Sequence, residues 1–502
     1  MIGYAENTGA CDPSRQRWWT LVRSWSGPRT VLLGSVLLAT LVLLIRPVTD
    51  PDFWLHAVTG RWIVQHGRLP AHDLFTYTVT DHRWVNHEYL SEVLLWLLQS
   101  RFGLAGVSVA VGLLTWVGLL LVLAACRPRT RPYVIVGLAL ALAAVAGGPI
   151  WGARPQMVTF TLVALELLWL RRLLDDESSR AILWLPAVMV LWSNLHGGWP
   201  LCFLFLGLAA AAEGVRRPAR PAVLRRLALV AVLSIVAVGI NPNGLAIYAY
   251  PFQTLTSGAQ QNLIAEWASP NFHLGSLRAF ELMALLLVAG LALGRPMPFD
   301  LLVALAGLAL ALESVRHIAI FVAAATPVLV AVWSDVWSRA PVMRSRPAPP
   351  RWAPIVGALT LLAVAAVVVP RIAGELARQP AVTAEAMPVG AADWLAAHPD
   401  TGTRMFNEYA WGGYLADRLP DQPDRRVFVL SEGVLMGDAQ LRRYGEVATL
   451  GPGWRRVLDQ DRVDYVVFDR GSALDDVLAT EPGWRLAYRD GTAVIYVRAN
   501  GS

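Results

Sequence analysis

Two acids, Asp50 and Asp52, stand in the stretch "VTDPDFWLHAVTGRW" (48–62), directly after the first long apolar run. Phe53, Trp54, His56, Arg61 and Trp62 surround them. Paired carboxylates suit general-base catalysis, coordination of a divalent cation or binding of a cationic group. Two acids at a membrane boundary can also simply end a helix in water, but the aromatic and basic surroundings favour an ordered site. Asp50 and Asp52 are therefore the candidate catalytic residues, with His56 and Arg61 beside them for substrate binding.

Four further stretches place polar groups among apolar ones. "HRWVNHEYLSE" (82–92) carries His87 and Glu88; its plainer reading is a helix capped by Asn86 and anchored by Trp84 and Tyr89. "GARPQM" offers Arg154 and Gln156, and a guanidinium matches the geometry of a phosphate. "NLHGGW" places Asn194 and His196 before a Gly-Gly turn. An arginine can also snorkel and paired glycines can merely turn the chain. "LESVRHIAI" interrupts an apolar stretch with Glu313, Arg316 and His317; ionisable groups at that depth mark function, or form an internal Glu313–Arg316 pair. His56, His87, His196 and His317 leave a divalent metal open as a cofactor, although no HxxxH or similar spacing supports one. No other cofactor is indicated.

The elements that must position these residues follow from composition. The chain has 502 residues, 55% hydrophobic and 16% charged, with mean hydropathy +0.45. Soluble domains carry about 25% charged residues, so the chain reads as a membrane protein with many spans. Lysine is absent, and the net charge of +6 comes from arginine; it reports topology rather than nucleic-acid binding. Cys11, Cys126 and Cys202 are widely separated and form neither a disulfide framework nor a metal set. The segment 1–28 reads as cytoplasmic, and the apolar run behind it as a retained span rather than a removed signal peptide.

Apolar runs long enough to cross, or nearly to cross, a bilayer lie near 30–46, 104–126, 133–149, 156–171, 182–195, 199–214, 226–241, 278–294, 299–313, 316–334 and 353–370. The segment 88–101 has Leu90, Val93, Leu94, Leu97 and Leu98 on one face and Glu88, Glu92 and Gln99 near another, as in an interfacial helix. If it does not cross, the arginine-rich loops at 127–132, 171–180, 215–226 and 338–351 all fall on the cytoplasmic side with the N-terminus. If it crosses, all four move outside. The expectation is eleven spans plus an in-plane helix. All nine histidines then lie on or at the outer face. The transmembrane domain covers 29–371, with an outer loop at 47–103.

From 372 to 502 short apolar runs alternate with helical patterns. Strands are expected at 403–407, 425–431, 464–470, 484–490 and 492–498, with helices between them. This reads as a small extracytoplasmic α/β domain. The paired glycines of "EYAWGGYLADRLP" (408–420) fit either a plain helix start or close approach of another surface.

Residues 29–126, taken in order, run span, acidic pair, "GRWIVQHGRLP", in-plane helix ending "RFG", span. This order resembles the GT-C superfamily of membrane glycosyltransferases, in particular its protein mannosyltransferase and aminoarabinose transferase branch. The resemblance implies a polytopic helical bundle with its active site in the outer loops and an outer C-terminal domain. It implies catalysis by a first-loop acid, here Asp50 or Asp52. It also implies a polyprenyl-phosphate sugar donor held against membrane lipid, an extracytoplasmic acceptor and a bacterial inner-membrane location. The aminoarabinose transferase pattern has Lys-Pro where "NHEYL" stands here, so acceptor specificity does not transfer. Two other classes fit a polytopic chain: a transporter or flippase of lipid-linked sugars, and a non-catalytic membrane assembly protein. Transporters show internal repeats and midplane polar residues; here polar residues gather at outer helix ends and no repeat is visible, which favours the enzyme.

Overall fold

The computed structural model describes residues 27–127, 131–218, 220–339, 352–419 and 424–499. Cys11, nearly all of the N-terminal segment 1–28, most of the arginine-rich loop 338–351 and part of loop 127–132 lie outside them. Every one of the eleven apolar runs forms a helix. In chain order the helices are α1 (Pro28–Leu44), α2 (Asp52–His66), α3 (Tyr89–Ala125), α4 (Tyr133–Ala146), α5 (Gln156–Asp175), α6 (Leu185–Leu195), α7 (Leu201–Gly214) and α8 (Pro221–Val238). They continue with α9 (Ala246–Thr256), α10 (Arg278–Leu293), α11 (Pro298–Glu313), α12 (Ile318–Arg339) and α13 (Ala353–Ala377).

Five helical segments are long and apolar enough to cross a membrane: 89–125, 221–238, 275–293, 315–339 and 353–377. Four more, including α4 and α7 at 14 residues each, are apolar but shorter. At 1.5 Å per residue such a helix reaches about 21 Å, short of a 30 Å hydrocarbon core. The central helix is α12, whose apolar face meets neighbours on nearly all sides, whereas α13 lies at the periphery and buries little. It runs to Ala377, past the expected domain boundary at 371.

The segment 88–101, expected to lie in the plane of the membrane, forms the first part of α3. At Gly103 the backbone takes φ +65°, a conformation that glycine alone adopts cheaply, and the helix axis changes course before the second apolar run. The preceding α2 packs flat against this first part because Gly60 has no Cβ to strike the backbone carbonyl of Glu92.

The C-terminal region contains α14 (Val389–Ala397), β1 (Met405–Asn407), α15 (Gly412–Arg418), α16 (Gly433–Ala448), α17 (Trp454–Gln460), β2 (Tyr465–Asp469), α18 (Ala473–Leu478), β3 (Trp484–Arg489) and β4 (Ala493–Arg498). The sheet order is β1-β2-β4-β3, with β1 parallel to β2 and the other pairs antiparallel. The run 425–431, expected as a strand, forms only single bridges, Arg404 with Arg426 and Thr76 with Val427. Its hydrogen bonds go elsewhere. The Asn407 side chain accepts from the N–H groups of Phe428 (2.8 Å) and Val429 (3.3 Å), and Phe75 of the loop between α2 and α3 accepts from Val427 (3.1 Å). A buried segment must pair its backbone polar groups, and here one side chain and one loop replace a ladder.

Candidate active site

Asp52 and His56 stand one turn apart on α2 and therefore share a face. That face meets the start of α3. His56 Nε2 lies 3.5 Å from Glu88 Oε2, and its Nδ1 lies 3.6 Å from Glu92 Oε1. Glu88 Oε1 is 2.9 Å from His87 Nε2 and 3.5 Å from His196 Nε2. One buried carboxylate thus gathers three imidazoles from three parts of the chain.

The surroundings decide the protonation of each ring. His196 Nδ1 accepts from the Gly198 N–H (2.9 Å) and contacts the Thr159 hydroxyl (2.7 Å). That hydroxyl already accepts from Trp192 Nε1 (2.8 Å), so its own proton goes to the imidazole. The His196 proton is therefore on Nε2, facing Glu88. Burial, with Arg316 adding to it, pushes His196 down to about 4 against the pull of Glu88. His56 goes the other way. Burial opposes its charge, but the nearby carboxylates of Glu92, Glu88 and Asp52 outweigh it and raise it to about 9. Burial would raise Glu88, yet His87, His196 and His56 together hold it well below the usual carboxylate range.

The two first-loop acids part company. Asp50, 4% exposed, is ion-paired with Arg154, whose guanidinium also pairs with Glu266. Its other oxygen accepts from the backbone N–H of Asp52 (3.0 Å) and so fixes the start of α2. Among the described residues Asp52 makes no ion pair. Burial raises its pKa, opposed by the His56 charge and by a hydrogen bond from Ser431. Arg316 stacks 4.4 Å above the Trp267 ring. The Gln156 carbonyl, in the amide orientation that satisfies its neighbours, accepts from Arg316 Nη2 and Nε at 2.8 and 3.2 Å.

The C-terminal region closes the site. The Tyr250 ring stacks on His87 with centroids 3.8 Å apart, and its hydroxyl donates to Glu432 Oε1 (3.1 Å). Ser431 and Glu432 precede α16; burial raises the Glu432 pKa, with His87 opposing. Close approach is built in. A Cβ on Gly413 would lie 2.5 Å from the Leu55 nitrogen, and one on Gly197 would lie 2.8 Å from His87 Cδ2. Of the paired glycines 412–413, Gly413 thus serves contact with another surface, whereas a Cβ on Gly412 would strike the Val429 carbonyl oxygen of its own region.

The structure brings together Asp50, Asp52, His56, His87, Glu88, Arg154, Gln156, His196 and Arg316. It does not bring Arg61, whose guanidinium pairs with Asp417 at 3.1 Å. Nine residues beyond Asp52 at 100° each place Arg61 on the opposite face of α2, so it ties α2 to the C-terminal region. Asn194 is structural: its amide donates to the carbonyls of Val190 and Ile240. Glu313 is exposed at the end of α11 and forms no ion pair with Arg316 among the described residues. His317 packs edge-on against Trp267, centroids 6.3 Å apart. Asn86 does not cap α3; it donates to Glu92 Oε2 (2.7 Å), and Trp84 is buried against Phe75. Glu266, Tyr250, Ser431 and Glu432 carry no spacing signal in the chain. The Nε2 atoms of His56, His87 and His196 all turn to Glu88, and among the described residues no group of three or more His, Cys, Asp or Glu is arranged to hold a metal ion. Cys126 and Cys202 are free and buried.

No protein-family model matches the chain, and no curated protein matches it by sequence. Solved structures do match. The archaeal oligosaccharyltransferase AglB from Archaeoglobus fulgidus, in complex with an inhibitory peptide and a dolichol-phosphate, superposes with a TM-score of 0.50 at 13% identity, over 97% of this chain and 75% of that one. ArnT from Cupriavidus metallidurans, bound to undecaprenyl phosphate, has a TM-score of 0.47 at 15% identity over 97% and 98% of the two chains. The arabinofuranosyltransferase AftD from Mycobacteria has 0.47 at 16% identity over 99% of this chain and 41% of its own. At such identities the likeness is one of fold, and it extends well beyond residues 29–126. The chain has a GT-C-like membrane fold.

Proposed function

We propose that this protein is a membrane glycosyltransferase that moves a sugar from a polyprenyl-phosphate-linked donor to an extracytoplasmic acceptor, with Asp52 as general base. The observation that carries the reading is the division of labour between the two acids. Asp50 is consumed by Arg154 and by the start of α2, whereas Asp52 is partly buried, without an ion pair among the described residues and within electrostatic reach of Arg316. The AglB fold, solved with a dolichol-phosphate, supports a lipid-phosphate donor.

On this reading Asp52 removes the proton of the acceptor nucleophile as that atom bonds to the anomeric carbon. The anomeric carbon–oxygen bond to phosphate breaks, and its electron pair leaves with the polyprenyl phosphate. Arg316, steadied by Trp267 and Gln156, stabilises the charge that develops on the phosphate. Arg154, held by two carboxylates, orders the outer loops and adds positive field. The charged His56 opposes the rise that burial gives the Asp52 pKa, and Glu88 keeps His56 in place. The outer loop 47–103 and the region 372–502 then face away from the cytoplasm, as the arginine-rich loops require.

The decisive experiment incubates purified protein with a polyprenyl-phosphate sugar and follows sugar transfer or release. Asp52→Asn is expected to abolish turnover while a bound polyprenyl phosphate is retained. Full turnover in Asp52→Asn, or a bound phosphate far from both Arg316 and Arg154, defeats the assignment.

A further inference from the structure

A second polar site lies at the other end of the bundle. Helix α5 starts at Gln156 in the candidate active site and reaches Arg171 fifteen residues later, about 22 Å away along the axis. Helix α11 runs the opposite way, from Asp300 back toward Arg316. Arg171 and Asp300 are ion-paired, 9% and 8% exposed respectively.

Around this pair is a cavity of about 220 Å³ lined by Arg127, Arg131, Arg171, Arg295, Asp300 and Asp335. Four guanidinium groups stand against two carboxylates. Asp335 is already paired with Arg339, and Arg127 with Asp175. Arg131 and Arg295 form no ion pair among the described residues. Within the cavity wall, Nε and Nη2 of Arg171 are buried and have no hydrogen-bond partner. Unpartnered buried N–H groups on a charged side chain are costly, and this pair points to an acceptor that carries negative charge. Two or three oxygens on one centre match the fork of a guanidinium, as a phosphate provides. The half-exposed Met297 on the cavity wall gives the mouth an apolar edge.

We propose that this cavity binds a phosphate group, carried by the headgroup of an anionic phospholipid in the leaflet next to the arginine-rich loops. Basic pockets between membrane helices on that side suit such headgroups. The site is separate from the candidate active site and does not depend on its chemistry.

The test uses the full chain, purified in detergent and reconstituted in nanodiscs. Retention of phosphatidylglycerol is compared with retention of phosphatidylcholine by native mass spectrometry, and inorganic phosphate is titrated in a thermal-unfolding assay. Preferential retention of phosphatidylglycerol is expected, weakened roughly fivefold in Arg295→Gln. Arg171→Gln is expected to weaken it further; because that change also leaves Asp300 unpaired, Arg295→Gln is the deciding variant. Arg316→Gln, at the opposite end, is expected to leave retention unchanged. Stabilisation by inorganic phosphate that Arg295→Gln removes, without lipid preference, keeps the phosphate site and assigns it to a free anion. Equal retention of both lipids with no effect of phosphate overturns the proposal. So does a preference lost in Arg316→Gln but kept in Arg295→Gln.

Discussion

Gly413 touches Leu55 backbone to backbone: a Cβ at Gly413 would sit 2.5 Å from the Leu55 nitrogen and 2.8 Å from its Cα. The contact lies one residue before His56, so it sets the distance between the C-terminal region and the polar face of α2. Gly413→Val must push α15 away from α2, at a cost of about 1–3 kcal/mol. The expected result is a lowered unfolding temperature and lost turnover with the sheet intact by circular dichroism. Wild-type turnover and stability in this variant would show that the two surfaces need no close contact.

Asp50 and Asp52 should separate in their effects. Asp50→Asn leaves Arg154 with Glu266 as its sole carboxylate partner, and breaking a buried pair costs about 3 kcal/mol. Thermal unfolding should register that loss. Asp52 holds no ion pair among the described residues, so Asp52→Asn should leave unfolding near the wild-type value and remove turnover. The reverse pattern, a stable inactive Asp50→Asn beside an active Asp52→Asn, would exchange the roles.

His56 provides a pH signature. Its folded-state pKa is raised from the ordinary 6.5 to about 9. A raised histidine contributes stability that is fully present below pH 6.5 and is lost as pH rises through about 9. The contribution is on the order of 3 kcal/mol at its maximum. Unfolding temperature should fall between pH 7 and pH 10 in the wild type, and this fall should flatten in His56→Gln. Parallel curves for the two proteins would remove His56 from the charged cluster.

Arg61 faces Asp417 and not the site. The pair is partly exposed, with side chains 26% and 16% accessible, and such pairs contribute about 1 kcal/mol or less. Arg61→Gln should lower the unfolding temperature slightly and leave binding of a polyprenyl phosphate unchanged in a titration. A tenfold loss of that binding would return Arg61 to the phosphate site.

Much of this was readable from local pattern alone. Each apolar run became a helix because side-chain periodicity and length act within a few residues. Gly103 likewise marks the junction between the two parts of α3, since a positive φ there needs no distant partner. The opposite placement of Asp52 and Arg61 follows from helical geometry, although the two residues read as one cluster when only their nearness in the chain is weighed. Which acid is free is a different kind of question. Asp50 is tied because Arg154 and Glu266 arrive from other loops, and Asp52 is enclosed because Ser431 lies beyond the last apolar helix. Glu432 and Tyr250 enter the histidine cluster by the same route. Ion pairs and burial depend on distances in space, and nothing in the spacing of these residues along the chain encodes those distances. The chain alone determined the helices and the polar residue types at their ends; packing decided which carboxylate is left without an ion pair among the described residues.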